Sequence, residues 1–335
     1  MKKNLTIFFI GLAFIFTFNM GFLYSYIYKK QIIQYKKKEQ IIKEKTISID
    51  EWITIPTYEK SNETTHPKVL YFDKPVNGYK YWLVSTPYPN NTAFYENPQI
   101  VVSNDGIHFI EPENIKNPIT GYPSKYWDGS YYSDPYLLYD NDHFELFYRK
   151  TLSKLNNITN KDGFNYIYMK QSKDGIKWSE EKLILDTKPT EQYMSLSVIK
   201  TDSKYKIWYI NYNNQIKYIE SNDLIHFTDP ITIPNFNYKI WHGEIQYINN
   251  KYIFIFMTKY KLFYTESKDG INFEKPKLIN TYLEELKEIS NNIYKSSFII
   301  NDDIIELYIP YRVYSQSKNR HIWKMRYRKL ERKNL

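Results

Sequence analysis

Two carboxylates in this sequence stand where a pair of acids would be useful. Asp134 lies in "SDPYLLY" and Glu244 in "HGEIQYI", each on the polar phase of a short alternating stretch. Such a pair can cleave a glycosidic bond: one protonates the leaving oxygen, and the other activates water or attacks the sugar carbon. Different surroundings would separate their proton affinities. Glu244 is expected as general acid and Asp134 as general base or nucleophile.

Three further stretches share this pattern, "HPKVLYF" from His66, "SLSVIK" from Ser195 and "KSSFII" from Lys295. Aligned on their apolar positions, they give a polar set: His66/Lys68, Asp134/Tyr136, Ser195/Ser197, His242/Glu244 and Lys295/Ser297. Period two puts that set on one face. Unpartnered polar groups are costly to bury, so a water-filled central channel is their expected place. Flanking segments add Tyr88, Glu96 and Asn97 from "TPYPNNTAFYENP", and Trp127 and Asp128 from "YWDGSYYSDP". Trp127 and Trp241 either stack on sugar rings or pack in the core. Arg149, Arg312 and Lys295 either hold a substrate phosphate or carboxylate or neutralise Asp134 and Glu244. His66, Ser195 and His242 complete the expected substrate-binding set. No metal and no cofactor are expected, because His66 and His242 lie in separate stretches without ligand spacing.

The elements that must position these residues repeat. "VVSNDGIHF" at Val101–Phe109 returns as "KQSKDGIKW", "YIESNDLIHF" and "YTESKDGINF". The turns start at Ser103, Ser172, Ser221 and Ser267, at intervals of 69, 49 and 46 residues. Asp-Gly suits a tight hairpin, and the aromatic that follows is expected to pack between units. Each unit reads as strand, turn, strand, loop, strand, Asp-Gly turn, strand, and it occurs five times with a degenerate last turn. Four-stranded units of about 45 residues are the blades of a β-propeller. The turns are therefore read as structural.

These features resemble the five-bladed β-propeller glycosidases of glycoside hydrolase families 43 and 32, over about residues 60–330. The resemblance implies an all-β, five-bladed propeller of four-stranded blades and a catalytic set of two Asp and one Glu at the blade openings. This chain departs from that set. His66 stands where the family's base would lie, Ser195 where another Asp is expected, and Glu244 near the general acid.

Upstream, "LTIFFIGLAFIFTFNMGFLYSYIY" runs from Leu5 to Tyr28 without a charge. As a helix it would be ~36 Å long, enough to cross a bilayer. Lys2 and Lys3 precede it, and no small-x-small cleavage site follows, so a signal-anchor is expected at 1–28. The lysines after the span argue for the opposite orientation. A charged stalk at 29–59 and the propeller at 60–335 complete the expected domains. The net charge of +9 is confined to the ends: residues 1–50 carry +6, residues 318–335 carry +7 and the body −4. That pattern argues against nucleic acid as a partner. There is no Cys, which excludes disulfides and thiolate chemistry.

The expected function is a membrane-anchored glycoside hydrolase with its propeller facing outside, or secreted if the leader is cleaved, acting on an oligo- or polysaccharide. The alternatives are a non-catalytic carbohydrate-binding propeller and a phosphate-using glycosyl-transfer enzyme.

Overall fold

The computed structural model describes residues 28–34, 49–121, 129–152, 164–188, 190–201, 203–234, 236–281 and 292–334. The chain divides into two units, 1–47 and 48–335. Of the first unit only 28–34 are described, an exposed helical stretch. The expected span at Leu5–Tyr28 lies, apart from Tyr28, outside the described residues. Among those described, no helix is long and apolar enough to cross a membrane.

The second unit is a five-bladed β-propeller. Its first strand is β1 (Ile49–Ile53). Blade one holds β2 (Thr64–Val76), β3 (Tyr79–Pro87) and β4 (Gln99–Ser103), with Ile110 bridging Val102 in place of a fourth strand. Blade two holds β5 (Tyr131–Asp140), β6 (His143–Leu152), β7 (Phe164–Ser172) and β8 (Lys182–Leu185). Blade three holds β9 (Met194–Thr201), β10 (Lys204–Ile210), β11 (Ile216–Ser221) and β12 (Ile231–Thr232). Blade four holds β13 (His242–Ile248), β14 (Lys251–Thr258), β15 (Lys261–Ser267) and β16 (Lys277–Ile279). Blade five holds β17 (Asn292–Ile293), β18 (Ser297–Asn301), β19 (Ile304–Ser315) and β20 (Arg320–Glu331), and β1 adds to its outer edge.

That last pairing corrects the expected stalk. Residues 49–53 are not a linker: Ile49 pairs with Lys329 and Ile53 with Met325, so the N-terminal strand closes the ring. Five buried apolar clusters fill the gaps between neighbouring blades, including the gap between five and one. A ring of five blades has five such gaps, so the core is continuous around the circle.

The repeated turns lock neighbours together. Within each turn the Ser hydroxyl accepts from the backbone three residues on, and the Asp carboxylate accepts two more N–H bonds, as at Ser103, Asp105, Ile107 and His108. The residue after Asp has positive φ, +78° at Gly106 and +77° at Gly270, which glycine adopts without cost. Its bare backbone meets an aromatic ring of the preceding blade. Tyr308 Oη donates to Gly106 O at 3.0 Å, and Trp208 Nε1 donates to Gly270 O at 2.8 Å.

Candidate active site

The innermost strands deliver the polar residues in two tiers, and a repeated irregularity separates them. In β2, His66 and Pro67 together oppose one residue of β3; in β5, Asp134 and Pro135 oppose one residue of β6; in β9, Ser195 and Leu196 oppose one residue of β10. Each is a β-bulge, which re-aims side chains at the cost of ladder bonds. The first residue of each bulge is left-handed, with φ of 52° at His66, 50° at Asp134 and 48° at Ser195. Such a conformation costs a non-glycine residue about 1–3 kcal/mol and clusters at working sites. In blade five, Tyr294, Lys295 and Ser296 interrupt the inner strand between β17 and β18.

The upper tier is a buried cluster. One ligand-type atom from each of His66, Asp134 and His242 lies within 4.8 Å of the others. Asp134 Oδ1 is 3.7 Å from His66 Nε2 and 3.5 Å from His242 Nδ1. Asp134 Oδ2 is held by Arg149, with Nη2 at 2.9 Å and Nε at 3.1 Å. Hydroxyls fix both imidazoles: Thr86 Oγ1 is 2.9 Å from His66 Nδ1, and Ser195 Oγ is 2.7 Å from His242 Nδ1. Both Nε2 atoms are buried without a hydrogen-bond partner. Tyr294 packs its ring against both histidines, with centroids 4.9 and 4.3 Å away.

Electrostatics sort the protons. Burial holds both imidazoles below their ordinary range. Burial opposes ionisation of Asp134, but the neighbouring His66, Arg149 and His242 outweigh it and keep its carboxyl well below the usual range. Near neutrality the imidazoles are uncharged, and the Arg149 guanidinium is the charge that keeps Asp134 ionised. Glu96 behaves oppositely. Its Oε1 is 3.4 Å from His66 Nδ1, and burial, reinforced by Asp134 against Arg149, pushes it up to about 8.

The lower tier is a structural seam. Lys68 Nζ donates to Glu244 Oε1 at 2.7 Å, with Glu244 fully buried. Gln246 donates to the same oxygen. Ser197 accepts from Ile245 N, Ser297 from Val69 N, and Tyr136 donates to Ile245 O. The expected water-filled lining is therefore corrected: these polar groups are buried and bond to one another across blades, with Glu244 Oε2 alone among them left without a partner. Asp134 and Glu244 fall in different tiers, and Glu244 is neutralised by Lys68.

The other expected residues are distributed as follows. Arg149 is spent on Asp134, and Lys295 Nζ is buried and donates to Pro135 O at 3.2 Å. Asn97 is buried and accepts from Thr120, so it staples a loop. Tyr88, Arg312 and Trp241 line a cavity of about 310 Å³ together with Tyr260, Tyr294 and Trp323. Trp127 and Asp128 lie outside the described residues. Tyr294 and Thr86 were missed. Tyr294 had one legible signal, its place immediately before the blade-opening Lys295.

With a five-bladed ring and a His-Asp-His cluster at its centre, the chain can be set beside known proteins. No family model matches it. It is 26% identical over 276 residues to the A type blood N-acetyl-alpha-D-galactosamine deacetylase of Flavonifractor plautii, an alignment covering 64% of this chain. The chain spans about a third (34%) of the length of that curated relative. A crystal structure of an N-acetylgalactosamine deacetylase from F. plautii, in complex with blood group B trisaccharide, superposes with a TM-score of 0.71 at 20% identity, covering 84% of this chain and 94% of that one. A GH43 protein from Bacillus licheniformis superposes at 0.58 and 13% identity, covering 80% of this chain and 52% of its own. These structural likenesses establish a shared five-bladed propeller fold.

Proposed function

We propose that this chain is a carbohydrate-acting hydrolase that removes an acetyl group from an N-acetylated sugar, with a divalent metal ion held by His66, Asp134 and His242. The observation that carries this reading is the convergence of those three buried groups, with two imidazole Nε2 atoms left partnerless. The donor set fits such an ion: two neutral imidazoles and one carboxylate, each oriented by an outer group. The likeness to the Flavonifractor plautii deacetylase supports the same reaction class.

Such an ion, when bound, polarises a carbonyl oxygen and lowers the proton affinity of water. The chain's own residues do the rest. Arg149 holds Asp134 ionised and fixes its orientation. Thr86 and Ser195 hold the imidazole rings in place. Glu96, whose proton affinity burial raises and whose Oε1 lies 3.4 Å from His66 Nδ1, would be the group to give a proton to the leaving nitrogen. In the balanced reaction water adds to the acetyl carbon, the C–N bond breaks, the amine leaves protonated, and acetate is released.

A second reading has its own support. Glu96 and Asp134 are neighbouring carboxyl groups whose environments drive their proton affinities apart, as glycoside hydrolysis requires. Product analysis separates the two. Acetate release from N-acetylhexosaminides, lost on chelation and restored by Zn²⁺, is expected; reducing-sugar release without acetate would move the assignment to glycoside hydrolysis. We also propose that the apolar stretch from Leu5 to Tyr28 tethers the propeller outside a cell membrane.

A further inference from the structure

Three cations were candidates for an acidic substrate group, and the fold uses two of them internally. Arg149 neutralises Asp134 and Lys295 is buried against Pro135. The Arg312 side chain has no ion pair or hydrogen bond among the described residues, and its Nε is buried without a partner. It lines the cavity of about 310 Å³ whose other walls include Tyr88, Trp241, Tyr260, Tyr294 and Trp323. Among the described residues no carboxylate lines that cavity, and Arg312 is the one charged group that does. The cavity shares Tyr294 with the His66–His242 cluster. Trp241 and Tyr260 stand at its lip, each 51% exposed.

We infer that this cavity selects a sugar carrying an oxyanion (carboxylate, sulfate or phosphate ester), with Arg312 as the specificity-determining residue. The inference rests on the carbohydrate-acting reading and narrows its substrate class. A buried guanidinium nitrogen without an acceptor is costly, and an incoming oxyanion supplies that acceptor in the planar, forked geometry that guanidinium prefers. The aromatic walls present flat apolar faces suited to a pyranose ring. A neutral hydroxyl would satisfy the nitrogen but leave the positive charge unpaired.

Binding can be read without turnover, because Trp241 and Trp323 line the cavity and report occupancy by fluorescence. The intact protein is titrated with N-acetylglucosamine, glucuronic acid, N-acetylglucosamine 6-sulfate and N-acetylglucosamine 6-phosphate. At least one anionic sugar is expected to bind about tenfold or more tightly than the neutral one. The acidic sugar that wins distinguishes carboxylate from ester recognition. Arg312→Gln, with an unchanged melting temperature, should abolish that preference, while Arg312→Lys should keep part of it. Equal affinity for neutral and acidic sugars, no binding by any of them, or a preference that survives in Arg312→Gln would overturn the inference. A missing acetyl-removal activity would leave these titrations unaffected, so the two readings fail separately.

Discussion

Arg149 and Asp134 divide the carboxylate between two tasks: Nη2 lies 2.9 Å from Oδ2, while Oδ1 faces His66 and His242. Removing the guanidinium would strand a buried charge. Arg149→Met should destabilise the propeller by about 3–5 kcal/mol. Asp134→Asn in the same chain should recover much of that loss in a denaturant midpoint. Asp134→Asn alone should cut turnover by about a hundredfold or more.

Glu244 tests the division into tiers. Because it neutralises Lys68, Glu244→Gln should lower stability, and the folded variant should keep turnover within a fewfold of the parent. Chemical denaturation and steady-state kinetics on one preparation check both halves. A stable Glu244→Gln protein slowed a hundredfold would return the acid role to this residue. The paired change Lys68→Met with Glu244→Leu should be less harmful than Glu244→Gln alone, since neither partner is left charged and buried.

The repeated turns predict a clash rather than a lost catalyst. A Cβ on Gly270 would meet Trp208 Cζ2 at 2.7 Å, at a φ of +77°. Gly270→Ala should therefore cost about 1–3 kcal/mol from overpacking, with the conformational strain in addition. A thermal melt reads this directly, and no change would show that the blade interface can give way.

Glu266 sets part of the acid limit. Burial alone would raise its proton affinity, but bonds from Lys251, Tyr264 and Arg332 outweigh that and bring it to about 2. A carboxyl depressed in the folded state stabilises above its unfolded value of 4.5 and loses that contribution as pH falls toward about 2. The group is part-exposed, so the contribution is about 1 kcal/mol. Glu266→Gln should flatten the stability curve in that window and leave it unchanged in slope near neutrality.

The tether is checked by fractionation. Full-length protein should stay with membranes through a high-salt wash, since salt does not weaken apolar burial. A truncated chain should be released, but it must begin before Ile49 to keep β1. Salt-released full-length protein would refute a spanning helix.

Blade order was legible because Ser-x-Asp-Gly and the apolar alternation are local signals. β1 was not. "IDEWI" lies at a sheet edge with Asp50 and Glu51 in its middle, and its partner is at the far end of the chain. The polar faces of the inner strands were legible from period two, but their separation into tiers was not. A bulge adds one residue without disturbing the apolar pattern, and only the folded backbone reveals the left-handed His66, Asp134 and Ser195. The Lys68–Glu244 pair spans 176 residues, a distance over which spacing carries no information. The same holds for the cluster: His66 and His242 are ordinary in sequence and become neighbours only when blades one and four face each other across the axis.

β1 has a consequence for synthesis. Asp50 bonds to Arg326, 276 residues further on. Among the described strands, the first to be made is therefore among the last to find its partner. Until the final hairpin emerges, β1 has no β20 to pair with, and Ile53 and Ile55 lack the blade-five part of their burial. Long-range closure is slow because its entropy must be met before its contacts form. A chain lacking β20 is therefore expected to be cut faster by proteases, and to pair more readily with a second copy, than the closed ring.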